Sequence, residues 1–235
     1  EETMTPTTSI IAKLMHVNGM HIEQVEVQSD YRKKDKERWN YEKIVVHARP
    51  FERLCGICPL CGRHCAGYDT KSKEESTWRG PNLNGMIVEV KYQPKRIECS
   101  EHGVVTERIP WKDGTSRFLP DFNNEVAFLA LTCPKTVVTA YMTINWRTVG
   151  NCIQATHKRL EPDQTQRYHG LHRICVDETS YEKGHTYITV IYDMDRNRVV
   201  WLSKGFGVEV FSQFCELLKE EERQSIEVVA GDGAK

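Results

Sequence analysis

The alternation of apolar and polar residues predicts four strands and one helix in the last third of the chain. Three apolar runs, at residues 174–176, 187–192 and 198–202, have the length and the β-branched or aromatic composition of strands. An amphipathic segment at residues 211–218 is typical of a helix, and a last apolar run covers residues 226–230. The predicted order is therefore strand, strand, strand, helix, strand.

An acidic residue follows the first and the last of these strands, namely Asp177 and Asp232. If the two strands are neighbours in the sheet, their carboxylates lie side by side at one edge. Paired carboxylates in such a position hold divalent metal ions, which suits in-line attack on phosphorus. This arrangement is typical of a ribonuclease-H-like nuclease core.

The middle of the chain predicts three helices, at residues 122–132, 135–141 and 145–158, with Asp121 capping the first. The short connection between the second and third helices is typical of a helix-turn-helix. No acidic residue occurs from residue 126 to residue 160, and a phosphate backbone favours that bias. A plain three-helix bundle has the same spacing, so the pattern alone leaves both interpretations open. The candidate DNA-contacting residues are Lys135, Asn145, Trp146, Arg147, Thr148, Asn151, Lys158 and Arg159.

Two short motifs in the N-terminal half predict a zinc site. Cys58 and Cys61 are separated by two residues, and Cys99 and His102 repeat that spacing; each pair is followed by glycine. The gap lets both ligands face one ion, and the glycine permits the tight turn that the loop requires. A strand-like stretch at residues 86–97 lies between the two motifs. As part of a hairpin it would bring them together in a zinc ribbon.

Nine cysteines cannot all pair within one chain, and their clustering favours zinc over disulfides and indicates a reducing compartment. Four protein ligands leave no open coordination position, so the predicted role of the Zn²⁺ is structural. Cys55, His64 and Cys65 remain alternative ligands at this stage.

Composition excludes several classes of protein. The 235 residues are 39% hydrophobic and 28% charged, which is typical of a globular protein, and no apolar run is long enough to span a bilayer. The formal net charge of −1 argues against a uniformly basic nucleic-acid coat. Nucleic-acid binding would therefore depend on local positive charge.

Several segments resemble one family in the same order along the chain. The run VDETSYEKGHTYITVIYD, followed by RVVW and IEVVAGD, resembles the catalytic core of bacterial insertion-sequence transposases of the ISL3 group. Upstream, CPLCG, RIECSEHGVVTERIPW and NWRTVG resemble the same family. The resemblance extends over about residues 54–232.

The resemblance implies a DDE transposase that binds transposon terminal inverted repeats and cuts and joins double-stranded DNA. Asp177 and Asp232 would be its first two catalytic residues and would bind Mg²⁺ or Mn²⁺. The third acid, a glutamate on a later helix, is expected outside this sequence, which would then be part of a longer polypeptide. The resemblance favours Cys58, Cys61, Cys99 and His102 as Zn²⁺ ligands and favours DNA binding by the third helix.

The chemistry of joining two transposon ends implies a homodimer that acts on transposon ends and target DNA. The expected location is the bacterial cytoplasm, at the nucleoid, with no membrane partner.

Other polar residues lie near the predicted catalytic strand. Glu178 should point to the opposite side of the strand from Asp177 and support the site or the fold. Lys183 and His185 would contact DNA phosphate or belong to a solvated turn. Asp193 and Asp195 lie at the end of the second predicted strand and are interpreted as turn residues.

The predicted fold class is multidomain α+β. Residues 1–50 form an N-terminal strand and helix segment, 51–116 a zinc ribbon, 117–165 a helix-turn-helix domain and 166–235 the first part of a ribonuclease-H-like α/β core. Two other functions fit the pattern: a DNA-binding regulator with an inactive core, and a nuclease that cuts without joining. A purely structural zinc protein fits less well, because it gives no reason for paired carboxylates at strand ends.

Overall fold

The computed structural model describes residues 6–15, 19–29, 42–70, 75–182 and 186–231. The chain divides into two compact units, Glu1–Leu160 and Glu161–Lys235. Each unit combines helices with β-sheet, so the chain is a mixed α/β protein compatible with the α+β class. Among the helices in these ranges, none is long and apolar enough to cross a membrane.

The N-terminal unit begins with one helix and seven strands: α1 (Pro6–Met15), β1 (Met20–Ser29), β2 (Glu42–Pro50), β3 (Ala66–Thr70), β4 (Ser76–Leu83), β5 (Met86–Tyr92), β6 (Lys95–Cys99) and β7 (Gly103–Thr106). The larger sheet has the order β1-β2-β5-β4, with β5 parallel to β2 and the other pairs antiparallel. The smaller sheet has the order β3-β6-β7 and is antiparallel.

Alternating side chains of the larger sheet form its core. On β5, Val88, Val90 and Tyr92 are buried, while the residues between them are only partly covered. Trp78 of β4 packs edge-to-face against Trp111 with ring centroids 6.0 Å apart. Because each fully buried apolar side chain contributes about 1.5–3 kcal/mol, this face stabilises the unit strongly.

The strand pattern of residues 86–97 predicts a hairpin inside a zinc ribbon, and the structure corrects this prediction. Residues 86–92 form β5, which pairs with β2 and β4, and only β6 joins the smaller sheet. The physical reason is the apolar face of β5, which is buried in the core of the larger sheet. The larger sheet therefore joins strands from both sides of the predicted boundary at residue 50.

Three helices complete the N-terminal unit: α2 (Pro120–Thr132), α3 (Lys135–Met142) and α4 (Trp146–Leu160). Phe122, Val138, Met142 and Val149 lie in their shared core. Helix α2 begins at Pro120, and Leu119 is its N-cap. Asp121 lies in the first turn, so the prediction that it caps the helix is wrong. Proline is favoured at that first position, because its nitrogen has no hydrogen to leave unpaired.

The C-terminal unit contains β8 (Arg173–Glu182), β9 (Thr186–Asp193), β10 (Arg198–Lys204), α5 (Val208–Leu217), α6 (Glu220–Gln224) and β11 (Val228–Gly231). The strand order is β10-β9-β8-β11, with β11 parallel to β8 and the other pairs antiparallel. Ile174, Ile191, Val200 and Phe214 form the centre of its core. The short helix α6 has no counterpart in the predicted pattern.

The first strand of this unit is longer than its apolar run predicts. The pattern indicates a strand end at Asp177 and Glu178, but β8 continues to Glu182 because its backbone still pairs with β9. On its other edge, β11 pairs only with residues 173–176. Asp177 therefore follows directly on the part of β8 that has strands on both sides.

Candidate functional site

Two tight loops position four possible metal ligands in the N-terminal unit. In the first loop, the Gly62 amide donates to the Cys58 carbonyl oxygen at 3.0 Å, and Gly62 adopts a φ of 75°. In the second, Cys99 ends β6 and pairs with Gly103, whose φ is 65°. Glycine takes this left-handed conformation without steric cost, so each loop can fold back on its ligands.

The four predicted ligands of the zinc site lie together. The ligand atoms of Cys58, Cys61, Cys99 and His102 are all within 4.8 Å of one another. The Cys61 and Cys99 sulfurs are 3.7 Å apart, and His102 Nδ1 lies 3.5 Å from Cys99 Sγ and 3.8 Å from Cys58 Sγ. Tetrahedral Zn²⁺ with bonds of about 2.3 Å to sulfur and 2.0–2.1 Å to nitrogen requires separations of roughly 3.8 and 3.6 Å. The donor set and its spacing therefore fit Zn²⁺.

Electrostatics at this cluster favour a thiolate. The backbone amide of Glu101 and then the side chain and amide of His102 lower the pKa of Cys99 to about 6 by hydrogen bonding to its sulfur. A thiolate is the form that binds metal. Cys58 and Cys99 are buried, whereas His102 is exposed.

The three alternative ligands lie outside this group of four. Cys55 Sγ donates to the Pro50 carbonyl oxygen at 3.5 Å. Cys65 packs against the cluster, but its sulfur donates to the Arg63 carbonyl oxygen. His64 forms a backbone bridge with Ile57.

A second candidate site is the beginning of α4. The Asn145 side-chain oxygen accepts hydrogen bonds from the Thr148 amide at 2.8 Å and hydroxyl at 2.9 Å, so both residues are engaged in capping the helix. Trp146 is 56% exposed, and the Lys135 ammonium lies 4.5 Å from the centre of its ring. This cation–π contact presents a positive charge and an aromatic surface together.

The remaining predicted DNA-contacting residues divide into two groups. Arg147, Asn151 and Lys158 are exposed on α4. Arg159 instead donates to Asn124 and lies 3.9 Å from the Asp113 carboxylate. Because its guanidinium already has partners within the unit, Arg159 is less available to DNA than the other three.

The C-terminal unit holds the carboxylate predicted to be catalytic. Asp177 is exposed on β8, and one of its oxygens accepts a hydrogen bond from the Thr179 hydroxyl at 2.9 Å. The parallel register between β8 and β11 pairs Val176 with Gly231. These are the residues immediately before Asp177 and Asp232, although Asp232 itself lies outside the described residues. Lys183 and His185 also lie outside them.

Glu178 has a different environment from its neighbour. Its carboxylate accepts a hydrogen bond of 2.6 Å from the Gly207 amide, at the beginning of α5. This contact anchors the helix to β8. Because successive side chains of a strand alternate, Asp177 projects to the other side.

Two partly exposed arginines form ion pairs with the buried side chain of Asp193, which the sequence indicates only as a turn residue. Its side chain is 0% exposed and lies 3.1 Å from Arg196 and 3.4 Å from Arg198. Burial alone raises the pKa of Asp193, but hydrogen bonds from Arg196, Asp195 and Arg198 outweigh it and lower the pKa below its ordinary value. Asp195, by contrast, pairs with Arg173 at 2.6 Å.

Another buried acid, Glu107, was not anticipated from the sequence. Its carboxylate accepts hydrogen bonds from the Tyr92 hydroxyl at 2.6 Å and from the amides of Lys95 and Gly56, both at 2.9 Å. Burial and this carboxylate raise the pKa of Tyr92. The only sequence signal is an acidic residue within the strand-like stretch before Pro110, which does not reveal its partners.

Comparison with known proteins finds similarity to one class of protein. Residues 174–235 match the family model of the ISL3-type DDE transposases, described as a transposase. The chain is also 30% identical over 217 residues to the transposase for insertion sequence element IS1557 from two Mycobacterium tuberculosis strains, covering 91% of this chain and 46% of each relative. It is 25% identical over 196 residues to the IS1001 transposase of Bordetella parapertussis, covering 80% of this chain and 46% of that relative.

The chain is therefore similar to bacterial insertion-sequence transposases, and the matched family model is that of the ISL3 type, in agreement with the sequence resemblance. The chain spans about half the length of the curated relatives that it matches. No solved structure is significantly similar to it.

Proposed function

We propose that this protein is a DDE transposase that binds the terminal inverted repeats of its transposon and catalyses metal-dependent DNA cleavage and strand transfer. The observation that carries the proposal is the parallel register of β8 and β11, which pairs Val176 with Gly231. Each of these residues directly precedes one of the two aspartates, Asp177 and Asp232. A register of this kind favours a shared carboxylate site.

The environment of Asp177 suits a metal ligand. Its carboxylate is exposed, and the hydroxyl of Thr179 occupies only part of its accepting capacity. Together with Asp232 it would hold Mg²⁺ or Mn²⁺, which would activate the attacking water or 3′ hydroxyl and stabilise the leaving oxygen. No residue of this chain is assigned as the third acid.

The order of elements supports a ribonuclease-H-like core. Three antiparallel strands, a helical connection and a fourth strand parallel to the first give the order β10-β9-β8-β11. Glu178 stabilises this core by holding the beginning of α5 against β8. Lys183 and His185 remain candidates for contacts with DNA phosphate.

The N-terminal unit would supply recognition of the transposon ends. The fit of Cys58, Cys61, Cys99 and His102 to a tetrahedral ion supports a zinc ribbon with a structural Zn²⁺. The exposed side chains at the beginning of α4 support a helix-turn-helix in which α4 reads DNA. We assign the domains to residues 1–50, 51–116, 117–165 and 166–235, with the larger sheet linking the first two.

The reaction implies further partners. Two transposon ends must be handled together before they are joined to target DNA, which favours a homodimer on double-stranded DNA. The substrate places this activity in the bacterial cytoplasm, at the nucleoid.

The test is a cleavage and strand-transfer assay with the full-length protein on transposon-end DNA in Mg²⁺ or Mn²⁺. Wild type is compared with Asp177→Ala and Asp232→Ala. Asp195→Asn is the matched control, because Asp195 lies in a turn of the same unit, where its carboxylate pairs with Arg173. We expect metal-dependent nicking and joining in wild type and Asp195→Asn, and neither in the two alanine variants.

Other outcomes distinguish the competing functions. Nicking without joining would identify a nuclease. End binding without metal-dependent chemistry in any sample would identify a DNA-binding regulator with an inactive core. Normal cleavage by folded Asp177→Ala would contradict the assignment of that residue.

A further inference from the structure

A groove of about 760 Å³ in the N-terminal unit is lined by three positively charged side chains, Arg108, Lys112 and Arg117. All three are exposed. One wall contains Pro59 and Leu60, the two residues between Cys58 and Cys61 of the proposed zinc site. The groove therefore follows the smaller sheet on one side.

The backbone that carries these cations is held in place by hydrogen bonds. The Arg108 amide donates to the Ile57 carbonyl oxygen at 2.7 Å, next to the first zinc loop. The Arg117 carbonyl oxygen accepts from the Arg79 amide of β4 at 2.8 Å. Lys112 follows the buried Trp111 and donates its amide to the Ile109 carbonyl oxygen at 3.1 Å. The three charges thus project from ordered positions.

Three cations and one acid line the groove. Glu107 is the acid that lines it, and its carboxylate is buried and accepts three hydrogen bonds, from Tyr92, Lys95 and Gly56. In the described part of the chain, none of the three lining cations forms an ion pair. Two other arginines, at and near the smaller sheet, do form ion pairs, since Arg63 pairs with Glu101 at 2.6 Å and Arg96 pairs with Asp69. The net positive charge of the groove is consequently available to an anion.

Arg117 connects this groove with the beginning of α4. It also lines a neighbouring hollow of about 400 Å³ whose other lining residues include Asn145 and Thr148. The acid in that hollow, Glu89, is paired with Lys43 at 2.8 Å. A helix N-terminus carries a partial positive charge, so the hollow adds to the attraction of the groove for phosphate.

We propose that this basic groove binds the phosphate backbone of the DNA duplex beyond the segment that α4 reads. The inference rests on the proposed DNA-binding function and adds Arg108, Lys112 and Arg117 to its contact residues. Contacts of this kind position the protein on the duplex and carry no base specificity. They should contribute equally to end DNA and to a duplex of scrambled sequence.

The test measures how the affinity of the full 235-residue chain for duplex DNA depends on salt. Each phosphate contact contributes about 0.9 to the slope of log K against log[salt]. The variant Arg108→Gln/Lys112→Gln/Arg117→Gln should therefore reduce the magnitude of the slope by about 2–3 on both end DNA and scrambled duplex. The ratio of the two affinities should remain unchanged.

Two controls separate charge in the groove from charge elsewhere. The variant Arg63→Gln/Arg96→Gln removes two paired cations at and near the smaller sheet and should leave the slope unchanged. Arg108→Lys/Arg117→Lys keeps the charge and should also keep the slope. Zinc content and thermal melting of every variant verify that the unit is folded.

The outcomes distinguish this inference from the proposed function. If wild type binds DNA and the folded triple variant has the same salt slope as wild type, the proposed role of the groove is wrong and the transposase proposal is unaffected. An equal loss in the paired-cation variant would also overturn it, because the effect would then reflect total charge alone. Failure of wild type to bind any duplex would reject both.

Discussion

The candidate metal ligands of the two units differ in both chemistry and burial. The N-terminal unit brings together three sulfurs and one imidazole, with Cys58 and Cys99 buried. In the C-terminal unit, the candidate ligand within the described residues is Asp177, an exposed carboxylate. Soft sulfur ligands suit Zn²⁺, whereas carboxylate oxygens suit Mg²⁺ or Mn²⁺.

Ligand burial of this kind distinguishes a structural metal site from a catalytic one. A metal ion with four protein ligands has no coordination position left for substrate. The free energy of metal binding instead stabilises the two loops that carry the ligands. An exposed carboxylate contributes little to folding and remains accessible to water and phosphate. We therefore expect mutations at the first site to change stability and mutations at the second to change chemistry.

The largest expected effect is loss of the proposed zinc ion. The smaller sheet has few buried residues of its own, with Cys58, Ile97 and Cys99 as its core. Structural zinc sites have apparent binding free energies on the order of 10 kcal/mol, so the sheet should unfold without the metal. Cys99→Ser should lose about one equivalent of zinc, measured by elemental analysis, and hydrogen exchange should show loss of protection in β3, β6 and β7.

Cys55→Ser is the matched control for that experiment, because its sulfur contacts the Pro50 carbonyl oxygen and lies outside the group of four. It should retain the metal and the protection of the sheet. Loss of zinc in Cys55→Ser together with retention in Cys99→Ser would show that the ligand set is assigned wrongly.

The next effect compares two neighbouring acids of β8. Asp177→Asn should reduce metal-dependent cleavage by the full-length protein by at least about 10³-fold, or roughly 4 kcal/mol in the barrier. Its stability should change by less than about 0.5 kcal/mol, because the side chain is exposed. Glu178→Ala should instead lower stability by about 1–3 kcal/mol, because the Gly207 amide loses its acceptor.

Cleavage rates and urea denaturation of both variants check this contrast. A stability loss in Asp177→Asn as large as that in Glu178→Ala would remove the distinction between the two faces of β8. Glu178→Gln keeps an acceptor for Gly207 and should recover most of the lost stability.

Local spacing explains why the four-residue metal cluster could be predicted from sequence. Both ligand pairs are separated by two residues and followed by glycine, so each half-site is defined within one short loop. The partner of a strand is not local in this way. Alternation indicates that residues 86–92 form a strand, but only the packed core determines that β5 pairs with β2 and β4.

In the C-terminal unit, too, local sequence predicts the elements better than their pairing. Apart from the short helix α6, its element order follows from the apolar runs, and strand alternation predicts opposite sides for Asp177 and Glu178. The continuation of β8 to Glu182 carries no apolar signal, because its exposed polar side chains are stabilised only through pairing with β9. The basic groove is also non-local, since Arg108, Lys112 and Arg117 converge only in the folded chain.

A third prediction compares exposed Asp177 with buried Asp193 in the same unit. Asp193→Asn should lower stability by about 1–3 kcal/mol, because the partly exposed Arg196 and Arg198 side chains lose their charged acceptor. The pKa of Asp193 is lowered in the folded protein, so its contribution to stability is present above the ordinary aspartate pKa and is lost as pH falls through the folded value. Urea denaturation from pH 3 to pH 7 should therefore show a weaker pH dependence in Asp193→Asn than in wild type. Parallel pH profiles would contradict this account.

The smallest expected effect concerns Asn145, which combines a capping role with a predicted DNA contact. Its oxygen accepts hydrogen bonds from the Thr148 amide and hydroxyl, so Asn145→Ala should destabilise α4 by about 1 kcal/mol. Asn145→Asp keeps the capping oxygen but places a negative charge where DNA phosphate is expected. Melting temperature and duplex affinity measured on both variants separate the two roles. If Asn145 lies at the DNA interface, the aspartate variant keeps its stability and loses affinity for the duplex. Equal affinity for wild type and Asn145→Asp would limit this residue to capping and leave recognition to its exposed neighbours Trp146 and Arg147.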